Sequence, residues 1–330
     1  MIPPPQRPLL SVIIINHNRK EYLQQAVDSA INQSLSPEKY EIIVVKGYPS
    51  KGDANLVSRG VEVIIETDKS YGKKVARAFE VARGNFIAFL DDDDLFLKDK
   101  LEISLNEFVT DDQLGYLHNA HAEMDLSGNP IESKLSRFNL SQGNGTIQQD
   151  TATARTALRW MRRGADFNHS SIVIRKEILD KFLRHFPEIT GSFDTFAFSA
   201  SLISGYKLKF TSNILTRYRI GASAGSQEIS DLERRTVYLT KQLGNYRKIL
   251  ETLDPEDISN ILDVLRYRIA DTEITIGLLE GWNGKQIYPS LIRSIRCGHL
   301  LDLYSATKLV LVFIHLVSHR MSRTLYRILR

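Results

Sequence analysis

Apolar positions in the first hundred residues follow two alternating periods. Leu9 to Ile15 is a continuous, β-branched run, the pattern of a strand buried on both faces. Tyr40 to Val45 is a second such strand, Val61 to Glu66 reads as a third strand, and Phe86 to Leu90 as a short apolar one. Between these runs the spacing changes to threes and fours. Tyr22, Leu23, Ala26, Val27, Ala30 and Ile31 share one helical face, opened by Asn18 and Glu21 at capping-box spacing. Val75, Ala78, Phe79 and Ala82 form the next stripe, and Gly84 is placed as its C′ residue. Strand and helix in alternation predict a parallel sheet covered by helices, an α/β fold.

Further along, residues 97–109 read as a helix and Gly115 to Asp125 as a strand that ends in the turn Ser127-Gly128-Asn129-Pro130. Residues 131–150 are polar without periodicity and read as a loop. Ser171 to Ile174 and Leu215 to Tyr218 are the remaining strand candidates. From about Gln227 only helical texture remains, and Asp254-Pro255-Glu256-Asp257 has the composition of a helix start. The expected division is an α/β domain over residues 1–222 and a helical region over 223–330.

Composition narrows the class. With 330 residues, 42% hydrophobic and 25% charged, the chain is globular rather than disordered or fibrous. A single cysteine, Cys297, cannot form an internal disulfide, so a reducing, cytoplasmic compartment is expected. The first residues lack a basic, apolar leader, and no signal peptide is expected. The run Leu309 to Val317, broken by His315, falls short of the ~20 residues of a membrane span.

A net charge of +4 is too small to argue for nucleic acid, but its distribution is uneven. From Lys285 onward eight basic residues face one acid, Asp302. In that tail Val310, Ile314, Val317, Met321, Leu325 and Ile328 form an apolar stripe. Lys308, His315, His319, Ser322, Arg323 and Arg330 fall on the other side. Such a basic amphipathic helix suits an anionic membrane surface, which predicts peripheral membrane association. The alternative is packing on the chain's own domain or on a second copy, as a homodimer through the C-terminal helices.

The chemistry centres on Asp91-Asp92-Asp93-Asp94, which directly follows the strand Phe86 to Leu90. Open α/β sheets bind ligands at the carboxyl ends of their strands. Carboxylates this close repel one another, and a divalent cation relieves the repulsion. No P-loop, no dinucleotide-binding glycine pattern and no zinc-ligand spacing is present. Phosphatases with an aspartyl nucleophile also place acids after a buried strand, but with Thr or Val where this chain has Leu95.

The order Ser11-Val-Ile-Ile-Ile-Asn-His-Asn-Arg19, Tyr40-Glu-Ile-Ile-Val-Val45, Gly84-Asn-Phe-Ile-Ala-Phe-Leu-Asp-Asp-Asp-Asp94 and Gly191-Ser-Phe-Asp194 resembles family 2 glycosyltransferases of the GT-A fold. The resemblance covers residues 9–222. It implies a nucleotide-sugar donor (a UDP- or GDP-sugar), inversion at the anomeric carbon, and Mg²⁺ or Mn²⁺ on a D-x-D pair, Asp91 and Asp93. By position Asp92 approaches the ribose or donor sugar, and Asn16, His17 and Asn18 meet the base. Asp194 matches the general base, with capping of a helix over 195–204 as its other role. Lys46-Gly47 stands where the family usually has a base-contacting aspartate, which leaves Lys46 to meet a phosphate or solvent. Lys73, Lys74 and Arg77 are pyrophosphate candidates, Gly221 replaces a histidine that many relatives place near the metal, and His169 is an acceptor-site candidate.

The expected function is therefore an inverting, metal-dependent transferase acting on an acceptor hydroxyl or phosphate. The acceptor expected for an enzyme held at the cytosolic membrane face is a lipid-linked saccharide. The rivals are a non-catalytic scaffold that binds nucleotide sugars or glycans, and a metal-dependent phosphatase.

Overall fold

The computed structural model describes residues 7–16, 20–131, 143–150, 152–222, 232–297 and 303–317. The chain divides into two compact units. One holds Met1–Ala152 and Arg159–Ser223, and the other holds Thr153–Leu158 and Ala224–Arg330.

The first unit is built on one sheet. Its first four strands are β1 (Leu10–Ile15), β2 (Tyr40–Lys46), β3 (Val61–Ile65) and β4 (Phe86–Asp91). The helices α1 (Lys20–Ile31), α2 (Asp53–Ser58) and α3 (Tyr71–Val81) connect them. After β4 come β5 (Leu95–Phe96), helix α4 (Lys100–Thr110), β6 (Leu114–Met124), β7 (Pro130–Ile131), β8 (Gly145–Ile147), β9 (Ile172–Arg175) and β10 (Lys207–Arg219). The spatial order is β3-β2-β1-β4-β9-β6-β10-β5, with β7 on β6 and β8 on β10.

The four predicted strands pair in parallel, in register from Leu10 against Tyr40 and against Phe86. β9 runs antiparallel between β4 and β6, and β10 lies parallel to β6. It follows that β1, β4, β6 and β10 all end at the same edge of the sheet. Every residue of β1 is buried, as a strand covered on both faces requires. On α1, Leu23, Ala26, Val27 and Ala30 close over Val12, Ile14 and Ile42 in one apolar core.

Several expectations change. Gly84 is not a helix C′ residue, because α3 ends at Val81 with Ala82 as an extended C-cap. Its role is close approach: a Cβ there would lie 2.6 Å from the backbone of Leu10 and of Ser11. The segment read as a loop over 131–150 contains strand β8, which pairs antiparallel with Leu208 to Phe210. The capping box at Asn18 lies outside the described residues.

The second unit is helical, with helices Leu232–Leu253, Asp263–Glu280, Gly284–Arg296 and Leu303–Val317. Asp254 does not start a helix. Its carboxylate accepts the N–H groups of Ile258 and Ser259 and pairs with Arg266, so the chain turns there and the next helix begins at Asp263. Among the described side chains of helix Leu303–Val317, residues 310–317, those buried are Leu311, Val312 and His315, not the expected stripe. Leu311 and Val312 pack with Ile274, Leu278 and Ile287. The ring of His315, expected on the polar side, is buried and bonds the Trp282 carbonyl at 2.7 Å. Val310, Phe313, Leu316 and Val317 are exposed, and Met321, Leu325 and Ile328 lie outside the described residues. No helix among the described residues is long and apolar enough to cross a membrane.

Candidate active site

Strand β4 delivers Asp91 to the carboxyl edge of the sheet, and the chain turns at once, Asp94 N–H donating to the Asp91 carbonyl at 3.1 Å. The turn brings carboxylate oxygens of Asp91, Asp93 and Asp94 within 4.8 Å of one another. Asp91 is half-buried, whereas Asp93 and Asp94 are buried. Such a set of hard oxygen donors fits Mg²⁺ or Mn²⁺. Burial, and then repulsion by Asp93 and Asp91, pushes the Asp94 carboxyl well above the usual carboxylate range. Bonds from Ser170 Oγ (2.6 Å to Oδ2) and the Arg219 backbone N–H (2.9 Å to Oδ1) work in the other direction. Ser170 Oγ also accepts the Asp91 N–H at 2.9 Å, so one hydroxyl links both ends of the turn.

The predicted D-x-D pair thus meets in space, together with Asp94, which the sequence reading did not select. Asp92 is fully buried and accepts Asn16 Nδ2 at 2.6 Å. Register explains the contact, since Ile15 lies opposite Asp91. Lys74 is also drawn inward. Its ammonium donates to the Asn16 carbonyl at 2.9 Å, and burial lowers its pKa. Lys46 is not solvated. It is 1% exposed, ion-paired with Asp53 and bonded to Ser50 Oγ at 2.8 Å. Lys73 pairs with Asp68 and Arg77 with Glu80, both at the surface. His17 and Asn18 lie outside the described residues.

His169 is a buried wall residue. Its ring stacks on Phe89 at 4.0 Å between centroids, and Nδ1 lies 3.9 Å from Asp91 Oδ1 and bonds the Tyr71 hydroxyl. Burial pushes its pKa down to about 3, so the imidazole is neutral. The residue before it, Asn168, holds φ at 65°, a strained value for a side-chain-bearing residue, and its side chain accepts the Ser170 N–H. Phe193 packs against His169 at 5.6 Å between centroids and opens the helix Phe193–Leu202. Asp194 therefore sits in the first turn of a helix whose start abuts the wall behind Asp91. It is not the N-cap. That position belongs to Ser192, in left-handed conformation at φ 54°, while Asp194 Oδ1 accepts the Thr195 N–H at 2.8 Å.

The residue missed altogether is Arg219, fully buried at the end of β10 and bonded to the Asp93 carbonyl at 2.8 Å. A charged residue inside a strand is a weak signal, and nothing in its spacing pointed to the aspartates.

The chain is 31% identical over 174 residues to an uncharacterized glycosyltransferase of Haemophilus influenzae, covering 47% of this chain and 66% of that protein. It is 30% identical over 133 residues to the putative teichuronic acid biosynthesis glycosyltransferase TuaG of Bacillus subtilis, covering 38% of this chain and 52% of that protein. The matches thus span about half to two thirds of the length of these two relatives.

Among solved structures, Staphylococcus aureus TarS 1-349 with UDP-GlcNAc aligns over 87% of this chain and 88% of its own, with TM-score 0.52 and 13% identity. The mannosyltransferase PcManGT of Pyrobaculum calidifontis, in complex with GDP-Man and Mn²⁺, aligns over 96% and 83%, with TM-score 0.53 and 14% identity. These neighbours share the GT-A fold with a helical region after it. The family description "Glycosyl transferase family 2" matches residues 11–180, more than half of the chain, and the chain belongs to that family.

Proposed function

We propose that this glycosyltransferase moves a sugar, with inversion, from a UDP- or GDP-sugar to an acceptor hydroxyl or phosphate in a metal-dependent reaction. The observation that carries the reading is the convergence of Asp91, Asp93 and Asp94 within 4.8 Å at the carboxyl edge of the sheet. These residues would hold Mg²⁺ or Mn²⁺, which when bound supplies charge neutralisation for a departing nucleoside diphosphate. Asp194 takes the proton of the acceptor hydroxyl, and the oxygen attacks the anomeric carbon opposite the leaving group. Asn16 and Lys74 brace the turn from the β1 side. His169 lines the acceptor side, its neutral ring offering hydrogen bonds without adding charge. Residues 1–222 form the catalytic domain in this reading, and residues 223–330 the helical region.

The acceptor is a lipid-linked saccharide at the cytosolic membrane face. Support for that part is the row of exposed apolar side chains Val310, Phe313, Leu316 and Val317, followed in sequence by Arg320, Arg323, Arg327 and Arg330. TarS with UDP-GlcNAc and PcManGT with GDP-Man make both nucleotide classes the first donors to try.

The test is release of UDP or GDP from UDP-GlcNAc, UDP-glucose and GDP-mannose, with Mn²⁺ and with a chelator. Metal-dependent release that is lost in Asp93→Asn is the expected result. Donor binding without turnover on any acceptor tried would favour the non-catalytic reading, and phosphate release from phosphomonoesters would favour a phosphatase.

A further inference from the structure

Among the described residues Arg219 is the largest fully buried side chain, and there the hydrogen bonds of its guanidinium run to neutral oxygens. Nε donates to the Asp93 carbonyl at 2.8 Å. Nη1 donates to the carbonyls of Asp125 (3.2 Å) and Leu126 (2.9 Å), and Nη2 to Gln25 Oε1 (2.8 Å). The Tyr22 ring covers the guanidinium at 4.4 Å. Its own backbone N–H reaches Asp94 Oδ1. Among the described residues no carboxylate pairs with the guanidinium. A buried cation without an ion pair is costly unless nearby opposite charge compensates it. Here four hydrogen bonds to neutral oxygens and the Tyr22 ring take the place of an ion pair, and one of those bonds falls on the aspartate turn.

We propose that Arg219 is the positioning residue of the aspartate cluster. Its planar fork ties the Asp93–Asp94 turn to helix α1 and to the turn after β6. The donors are thereby assembled before any cation arrives. The proposal rests on the metal-site reading for its consequence in function, but not for the clamp itself. Lysine keeps the charge and loses the fork, so Arg219→Lys tests the fork by itself.

The experiment compares the wild-type chain, Arg219→Lys and Gln25→Ala by amide hydrogen exchange and by Mn²⁺ titration, with the spin resonance of free Mn²⁺ as readout. In Arg219→Lys the amides of Asp93 to Leu95 are expected to exchange at least tenfold faster, with β1 unchanged, and Mn²⁺ binding to weaken at least tenfold. Gln25→Ala, which leaves the arginine in place, should show a smaller effect in the same direction, about threefold. A merely structural arginine would instead speed exchange evenly through β1, β4 and β10, and that result overturns the proposal. So does exchange at Asp93 to Leu95 that matches wild type in a folded Arg219→Lys or, should that variant not fold, in Gln25→Ala. Failure of the wild-type chain to bind Mn²⁺ would sink the metal reading alone, and the exchange data would still decide the clamp.

Discussion

Asn16 Nδ2 donates to Asp92 Oδ2 at 2.6 Å, a bond from the end of the first strand to the turn after the fourth. It ties the second aspartate of the run to the end of β1, while carboxylates of the other three converge. A buried carboxylate that loses a donor bears a desolvation cost of about 1–3 kcal/mol. Asn16→Ala should therefore lower stability by roughly that amount, read as a shift of the urea midpoint with unchanged slope.

Asp93→Asn removes one charge from three crowded carboxylates. Transfer activity is expected to fall by about 10²–10³-fold, since charge on the leaving group is no longer balanced. Metal-free stability should hold or rise slightly, because repulsion is relieved. Near-normal Mn²⁺-dependent turnover in this variant would reject the metal assignment.

Asp194→Asn tests the general base. An amide oxygen still accepts the Thr195 N–H, so the local bond survives the change. Turnover should fall roughly 10²–10⁴-fold with donor KM preserved. Wild-type turnover would reject the base assignment.

His118 and His121 predict how stability depends on pH. Burial holds their pKa values down to about 4 and about 3, below the ordinary 6.5. Between pH 6.5 and 4 the unfolded chain takes up protons that these folded histidines refuse. Stability contributed by the neutral rings is thus fully present above pH 6.5 and is lost as pH falls toward 4. Each histidine contributes a slope of up to about 1.4 kcal/mol per pH unit. Urea midpoints from pH 7 to 4.5 measure it, and His121→Gln should flatten the curve by close to one proton.

The exposed apolar row on helix Leu303–Val317 is tested by Phe313→Asp with Leu316→Asp. Both side chains are more than half exposed, so the fold should be kept. Truncation is the poorer test, because it also removes Leu311 and Val312 from the packing against Ile274 and Ile287. Binding to anionic vesicles should fall about tenfold in the double variant, and wild-type binding should weaken with salt. Vesicle binding that ignores both changes would remove the membrane part of the reading.

Local sequence determined the strands β1 to β4 and the placement of the aspartates. Runs such as Leu9 to Ile15 and Phe86 to Leu90 have no polar face to turn outward. Burial on both sides is their only stable outcome, and an acidic run that directly follows one must emerge at its carboxyl edge. The family resemblance was legible for the same reason, because its motifs lie at these strand ends.

Long-range packing decided the rest. Gly84 looked like a helix end, but the approach of the Leu10 backbone explains it. Asp254 had the neighbours of an N-cap, yet Arg266, twelve residues on, claims its carboxylate and the chain turns instead. The apolar stripe of the last helix was visible, but which side faces inward depended on the surface offered by Ile274 and Ile287. Asp94 joins the cluster through Ser170 and Arg219, separated from it by 76 and 125 positions. Hydrophobic periodicity is a property of neighbours and can be read along the chain. A buried charge is stable only where distant segments meet it, and that depends on the finished sheet.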